Sequence, residues 1–262
     1  MEFDFFGMTD TGRVRDNNED AVACDPLRGL AVLADGMGGY NAGEIASAMA
    51  VTFIRTELSR WFQEVSTHAS AHAIRHAMEV CVGNANLAIF NAAHANPQFS
   101  GMGTTLVIGH FSPARVMLGH VGDSRCYRCR HGQLEQLTKD HSLLQEQLEA
   151  GLITPEQAKV ATNKNLVTRA LGVEESVVVD VSEYAPKVGD TYMFCSDGLS
   201  DMVNDREIER ILSLDLPLAN KASALVQTAN EAGGRDNISV ILVQAKGKPS
   251  NQSFLSRMLR KS

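Results

Sequence analysis

No apolar run in the 262-residue sequence approaches membrane-spanning length, and the opening residues Met1-Glu2-Phe3-Asp4-Phe5-Phe6 lack both a basic segment and a long apolar one. A transmembrane segment and a secretion leader are therefore not expected, and the sequence reads as a soluble, cytoplasmic protein. A cationic surplus is also missing: 24 Lys and Arg stand against 31 Asp and Glu, a net charge of -7. Nucleic acid, which is gripped through broad basic surfaces, is not an expected partner. The cysteines are five, an odd number scattered through strand-like and helix-like segments, which suits a reducing compartment better than a disulfide framework. Neither an internal repeat nor a low-complexity segment interrupts the chain. With 44% hydrophobic and 21% charged residues, one globular domain with a sizeable core is expected.

What the sequence does contain is a set of aspartates at the edges of short apolar runs. Leu30-Ala31-Val32-Leu33-Ala34 leads into Asp35-Gly36, the run ending at Val121 into Gly122-Asp123-Ser124, and Tyr192-Met193-Phe194-Cys195 into Ser196-Asp197-Gly198. Asp236 precedes the run that begins at Ile238. Such runs, bounded by Gly and Asp, read as buried strands, so these carboxylates can converge at strand ends. Gathered anions repel unless a cation binds between them, and an oxygen-only donor set suits Mg²⁺ or Mn²⁺.

The remaining pattern alternates strands and helices in blocks. Strands are expected over 1–35, helices over 42–62 and 71–93, strands over 104–111, 116–121 and a pair in 126–137 turning at His131-Gly132. A helical pattern returns over 141–161, with Gly151 as a stop and Thr154 to Gln157 as a capping box, before a polar loop over 162–176. Residues 141–176 thus form a flap-like excursion beside the site. Strands at 177–184 and 191–195, helices at 204–213 and 217–232 and a last strand complete the pattern. Block alternation of this kind predicts antiparallel sheets with helices packed outside them.

Several tempting motifs carry bland readings. Cys126-x-x-Cys129 sits in a strand-like segment without a second pair and reads as structural. His68, His72 and His76 share a helix face, read as a solvated one. Cys195 is not the nucleophile of a cysteine phosphatase loop, because Asp201 stands where the Arg is required. Gly36 to Gly39 lacks the Lys-Ser/Thr of a nucleotide-binding P-loop.

Eight blocks, in order, carry a family resemblance. They are Gly12-x-x-Arg15-x-x-Asn18-Glu19-Asp20, Ala34-Asp35-Gly36-Met37-Gly38-Gly39, Gly101-x-Gly103-Thr104-Thr105, Gly122-Asp123-Ser124-Arg125, Thr138-Lys139-Asp140-His141-Ser142, Leu166-Val167-Thr168-Arg169-Ala170-Leu171-Gly172, Ser196-Asp197-Gly198-Leu199 and Asp236-Asn237-Ile238-Ser239-Val240. Together they resemble the metal-dependent protein phosphatases of type 2C, of bacterial type, over residues 5–243. The resemblance implies an α+β fold, a four-layer α-β-β-α sandwich of two antiparallel sheets flanked by helices, with a catalytic domain over 1–245. It implies two Mn²⁺ or Mg²⁺ ions and hydrolysis of phosphoserine and phosphothreonine in proteins, opposing a cytoplasmic kinase. By that pattern Asp35 bridges the metals, Glu19 and the Gly36 carbonyl serve one, Asp197 and Asp236 serve the other, and Asp20 supports that centre directly or through water. Asp123 matches a third, weaker metal position, and Arg15 the residue that grips the substrate phosphate.

The chemistry asks for these residue types. Two divalent ions about 4 Å apart neutralise a phosphate dianion and supply a bridging hydroxide for in-line attack. A planar guanidinium at Arg15 can give two parallel hydrogen bonds to phosphate. The family's usual general-acid histidines are replaced by Met37 and Tyr40, and its His-Pro pair by Thr162-Asn163, so leaving-group protonation is assigned to a metal-bound water with Tyr40 as second candidate. Two other readings use the same residues: a silent phosphoprotein-binding module, which should have lost ligands, and a hydrolase of small phosphorylated metabolites, which would differ in groove shape. A monomer is expected. The tail over 246–262, basic with Phe254, Leu255, Met258 and Leu259, is read as a mobile terminus, with an amphipathic docking element as the alternative.

Overall fold

The computed structural model describes residues 1–39, 42–65, 69–154, 157–158 and 166–247. Its elements are β1 (Glu2–Asp10), β2 (Asp20–Asp25), β3 (Leu30–Met37), α1 (Ala42–Glu64), α2 (Ala71–Ala95), β4 (Gly103–Thr104), β5 (Leu106–Phe111), β6 (Val116–Val121), β7 (Arg125–Arg130) and β8 (Gln133–Gln136). They continue through α3 (Leu143–Glu149), β9 (Asp180–Tyr184), β10 (Thr191–Cys195), α4 (Asp197–Ser200), α5 (Asp205–Leu212), α6 (Leu218–Glu231) and β11 (Ile238–Lys246).

Two antiparallel sheets form, one in the order β1-β11-β10-β7-β8 and one in the order β2-β3-β5-β6-β9, with β4 paired to β3. Period-two alternation explains how they stack. On β3, Ala31 and Leu33 face the other sheet while Leu30, Val32 and Ala34 face α1 and α2. On β10, Tyr192 and Phe194 point inward and Met193 and Cys195 point toward the helices that follow. The result is helices, sheet, sheet, helices, the four-layer α+β sandwich expected. Both faces of the central strands are covered, so they read as unbroken apolar runs. Each fully buried side chain of the Phe194 kind contributes about 1.5–3 kcal/mol.

Local details follow the sequence reading. Within the helical pattern over 141–161, α3 stops in a Schellman arrangement, in which Gly151, at φ +67, donates to Leu148 O and Leu152 donates to Gln147 O, and residues 157–158 are helical again. The expected capping box follows, with Gln157 N–H on Thr154 Oγ1 at 3.2 Å and Thr154 N–H on Gln157 Oε1 at 2.8 Å. The hairpin turn falls at His131-Gly132, both at positive φ, 53° and 75°. Cys126 and Cys129, three apart on β7, face opposite sides, one between the sheets and one under the helices, and both are free thiols. His72 and His76 are exposed on α2, while His68 lies outside the described residues, as does the tail from residue 248 onward. Among the described residues no helix is long and apolar enough to cross a membrane.

Candidate metal centre

The acidic residues meet because strands from both sheets end at one edge. Asp20 begins β2 and pairs across to Asp35 on β3. Asp197 and Asp236 lie at the end of β10 and the head of β11, which pair antiparallel. Asp123 follows β6.

Hydrogen bonds from neighbouring residues hold Asp35 and Asp20 in place. Asp35 N–H donates to Thr105 Oγ1 at 3.0 Å, while Thr105 N–H and Thr104 Oγ1 both donate to Asp35 O at 2.8 Å. The Thr105 hydroxyl also lies 2.7 Å from Ser124 Oγ, beside Asp123. Gly36 donates its N–H to Glu19 O at 3.1 Å, and a Cβ at Gly36 would fall 2.1 Å from Gly43 O. No side chain fits where β3 passes α1. The two sheets are joined at the site by Ser196, whose hydroxyl donates to Asp20 Oδ2 at 2.8 Å and accepts from Ser239 N–H at 3.0 Å.

Asn237 is the residue whose part sequence reasoning left unassigned. Its Oδ1 accepts the Glu19 N–H at 2.8 Å, and its amide donates to Thr11 O at 3.0 Å and Asn17 O at 2.9 Å. It pins the loop bearing Arg15 and Glu19 to the head of β11. The available signal was its place directly after Asp236.

Burial, reinforced by crowding of like charges, dominates the electrostatics. Burial, followed by repulsion from Asp20, Asp197, Asp123 and Asp236, holds the Asp35 pKa well above the carboxylate range. Burial likewise raises Asp197 to about 8, Asp20 to about 7 and Asp123 to about 6. Among the described residues Asp20 Oδ1 is buried without a hydrogen-bond partner. Arg15 Nη2 donates to Asp236 Oδ2 at 2.6 Å on the half-exposed rim. Cys195 has its thiol pushed up to about 12 by burial, which removes it as a nucleophile at neutral pH.

An unpartnered buried oxygen and four carboxyls raised by burial fit a hard divalent cation by charge and donor type. Among the described residues no three His, Cys, Asp or Glu side chains stand close enough to enclose an ion as they are. A small cavity of about 60 Å³, lined by Asp123, Asp197, Asp201, Arg125, Asp140 and Ser142, opens at this edge. The larger cleft, about 1080 Å³, lies at the other end of β1 and β11, beside Phe3 and Lys246, away from the acidic cluster. Tyr40 and Thr162-Asn163 lie outside the described residues.

Residues 12–242 match the family model described as Protein phosphatase 2C. The chain belongs to the protein phosphatase 2C family. Serine/threonine phosphatase stp of Listeria innocua is 39% identical over 239 residues, covering 90% of this chain and 93% of the relative. The structure of the Mycobacterium tuberculosis serine/threonine phosphatase PstP/Ppp superposes with a TM-score of 0.86 at 34% identity, covering 94% of this chain and 100% of that one. A structure of the catalytic domain of PstP in complex with two manganese ions does so with a TM-score of 0.81 at 35% identity, covering 94% of this chain and 99% of that one. The chain is thus a protein phosphatase 2C of bacterial type, a metal-dependent serine/threonine phosphatase, as its sequence blocks indicated.

Proposed function

We propose that this phosphatase removes phosphate from phosphoserine and phosphothreonine in proteins, by in-line attack of water, and opposes a cytoplasmic kinase as a monomer. Asp35 would bridge two divalent ions, Glu19 and the Gly36 carbonyl would serve one, and Asp197 and Asp236 the other, with Asp20 behind them and Asp123 at a third, weaker position. Mn²⁺ or Mg²⁺ held there would supply neutralisation of the phosphate dianion and a water acidic enough to attack at neutral pH.

The chain's own residues do the rest. Arg15 stands at the rim with its guanidinium on Asp236, and a phosphate dianion arriving there offers two oxygens to the same planar fork. Its exchange from Asp236 to phosphate would orient the phosphorus toward the acidic cluster. Asn237 and the Thr104-Thr105 pair keep Glu19 and Asp35 in place, so binding need not order them first. The observation that carries the reading is the gathering of Asp20, Asp35, Asp123 and Asp197 into one repelling, buried set directly inside Arg15.

The deciding experiment is hydrolysis of p-nitrophenyl phosphate and of a phosphothreonine peptide across a Mn²⁺ titration, with EDTA and Asp236→Asn as controls. The expected result is Mn²⁺-dependent turnover that both controls abolish, with preference for the peptide. Turnover of neither substrate by folded protein at saturating Mn²⁺ would point to a silent binding module instead.

A further inference from the structure

Behind the Gly122-Asp123 turn lie two buried histidines that the reaction above does not use. His120, on β6, and His141, between β8 and α3, have ring centroids 4.6 Å apart. His141 is gripped on every side. Its ring Nδ1 accepts the Gly122 N–H at 3.0 Å, and its main-chain N–H donates to Gly122 O at 2.8 Å. One residue thus holds both main-chain polar groups of the glycine that precedes Asp123. Gly122 sits at φ +105 and has no side chain to anchor it, so these two bonds set the direction in which the chain presents Asp123.

The other ring nitrogen is equally committed. His141 Nε2 lies 3.1 Å from Asp180 Oδ2. Arg169 Nη1 lies 3.1 Å from that same Nε2, 3.1 Å from Asp180 Oδ1 and 3.2 Å from Val178 O. These contacts admit one protonation state. Nδ1 faces an N–H and must present its lone pair, so the proton of the neutral ring is on Nε2, where Asp180 accepts it. The adjacent guanidinium opposes a second positive charge, and its Nη1 hydrogens have Asp180 Oδ1 and Val178 O as acceptors. Burial also lowers the His141 pKa, which keeps the ring neutral.

His141 is also where the excursion is rooted. Its carbonyl accepts the Thr168 N–H at 2.8 Å, Ser142 pairs with Val167, and Leu143 N–H donates to Leu166 O at 2.9 Å. The outgoing and returning feet of the 141–176 segment therefore meet on the residue that holds the Gly122-Asp123 turn.

We propose that His141 is a positioning residue, a neutral imidazole locked in its Nε2–H tautomer by Asp180, that aims Asp123 and ties that aim to the feet of the 141–176 excursion. Only the use made of Asp123 rests on the phosphatase reading; the lock itself does not. A histidine serving as core filling would be replaceable by any side chain of similar volume. A lock depends on an acceptor at one point. Asparagine can place its carbonyl oxygen near the Nδ1 position, whereas glutamine carries its amide out toward Nε2, so the two variants separate the roles.

The test uses the full chain, treated with EDTA and labelled with ¹⁵N. The His141 ring should show an unprotonated Nδ1 and a protonated Nε2 in the free protein. Amide hydrogen exchange at Gly122 should quicken about tenfold in His141→Gln and stay near the parent rate in His141→Asn. Asp180→Ala removes a half-exposed side chain, and it should mix the tautomers and quicken Gly122 exchange as well. With Mn²⁺, the concentration for half-maximal hydrolysis of p-nitrophenyl phosphate should rise at least fivefold, roughly, in His141→Gln and under about twofold in His141→Asn. A ring protonated at Nδ1, Gly122 exchange unchanged in His141→Gln and Asp180→Ala, or equal effects of Asn and Gln would each overturn the proposal. If the parent protein turns nothing over with Mn²⁺, the phosphatase reading fails, and the ring and exchange measurements still decide the lock.

Discussion

At the scale of single residues, the site is built from side chains that would each be costly elsewhere. Among the described residues Asp20 keeps one buried oxygen without a partner and depends on Ser196 for the other. Ser196→Ala should therefore destabilise the protein by about 1–3 kcal/mol in EDTA, because a buried carboxyl loses its donor, with the loss read from urea denaturation. Gly36 has no room for a methyl group against Gly43 O, so Gly36→Ala should cost about 1–3 kcal/mol or more and lower the Tm even without metal. Arg15 is the opposite case. It is half exposed and pairs only at the rim, so Arg15→Ala should leave the Tm within about 1–2 °C while raising KM and lowering kcat together for a phosphopeptide.

At the scale of elements, much was legible because each strand and helix is amphipathic or wholly apolar in a way that its layer requires. The two long helices α1 and α2 and the hairpin around His131 are legible directly from periodicity and turn residues. The stop at Gly151 and the box at Thr154 followed from capping chemistry. The short helix α4 did not, because four residues are too few for a period to show and its helical course is set by Asp197 and Asp201 closing a turn under β10. The carboxylates themselves were legible as strand-end residues, and the blocks around them named the family. What held them was less so: Asn237 and Ser196 act through bonds between residues more than forty positions apart, which no local pattern carries.

At the scale of the whole molecule, the acidic edge makes stability depend on pH. Asp197, Asp20 and Asp123 titrate near 8, 7 and 6 in the fold instead of near 3.8, so the folded chain holds protons that the unfolded chain has released. Stability of the EDTA-treated protein must then fall as pH rises through that window, and the penalty is absent below the ordinary carboxylate range. His110 and His120, lowered by burial to about 4 and about 3, act in the other direction, adding stability above pH 6.5 that is lost as pH falls toward those values. Above pH 6.5 the carboxylates act almost alone. The Tm in EDTA should drop by about 5 °C or more between pH 6.5 and 8.5, and saturating Mn²⁺ should remove most of that slope.

The last strand among the described residues is also a central one. β11 lies between β1 and β10, pairs Lys246 with Glu2 across nearly the full length of the chain, and carries Asp236 at its head. A chain leaving the ribosome therefore has every other acidic residue of the edge exposed to the cell before the strand that completes the sheet has been made. Until residues 236–246 have emerged, Arg15 has no Asp236 to pair with and β1 has no neighbour joining it to β10. A chain cut short before residue 236 should therefore lack both Asp236 and the strand that joins β1 to β10, and should be inert rather than unregulated.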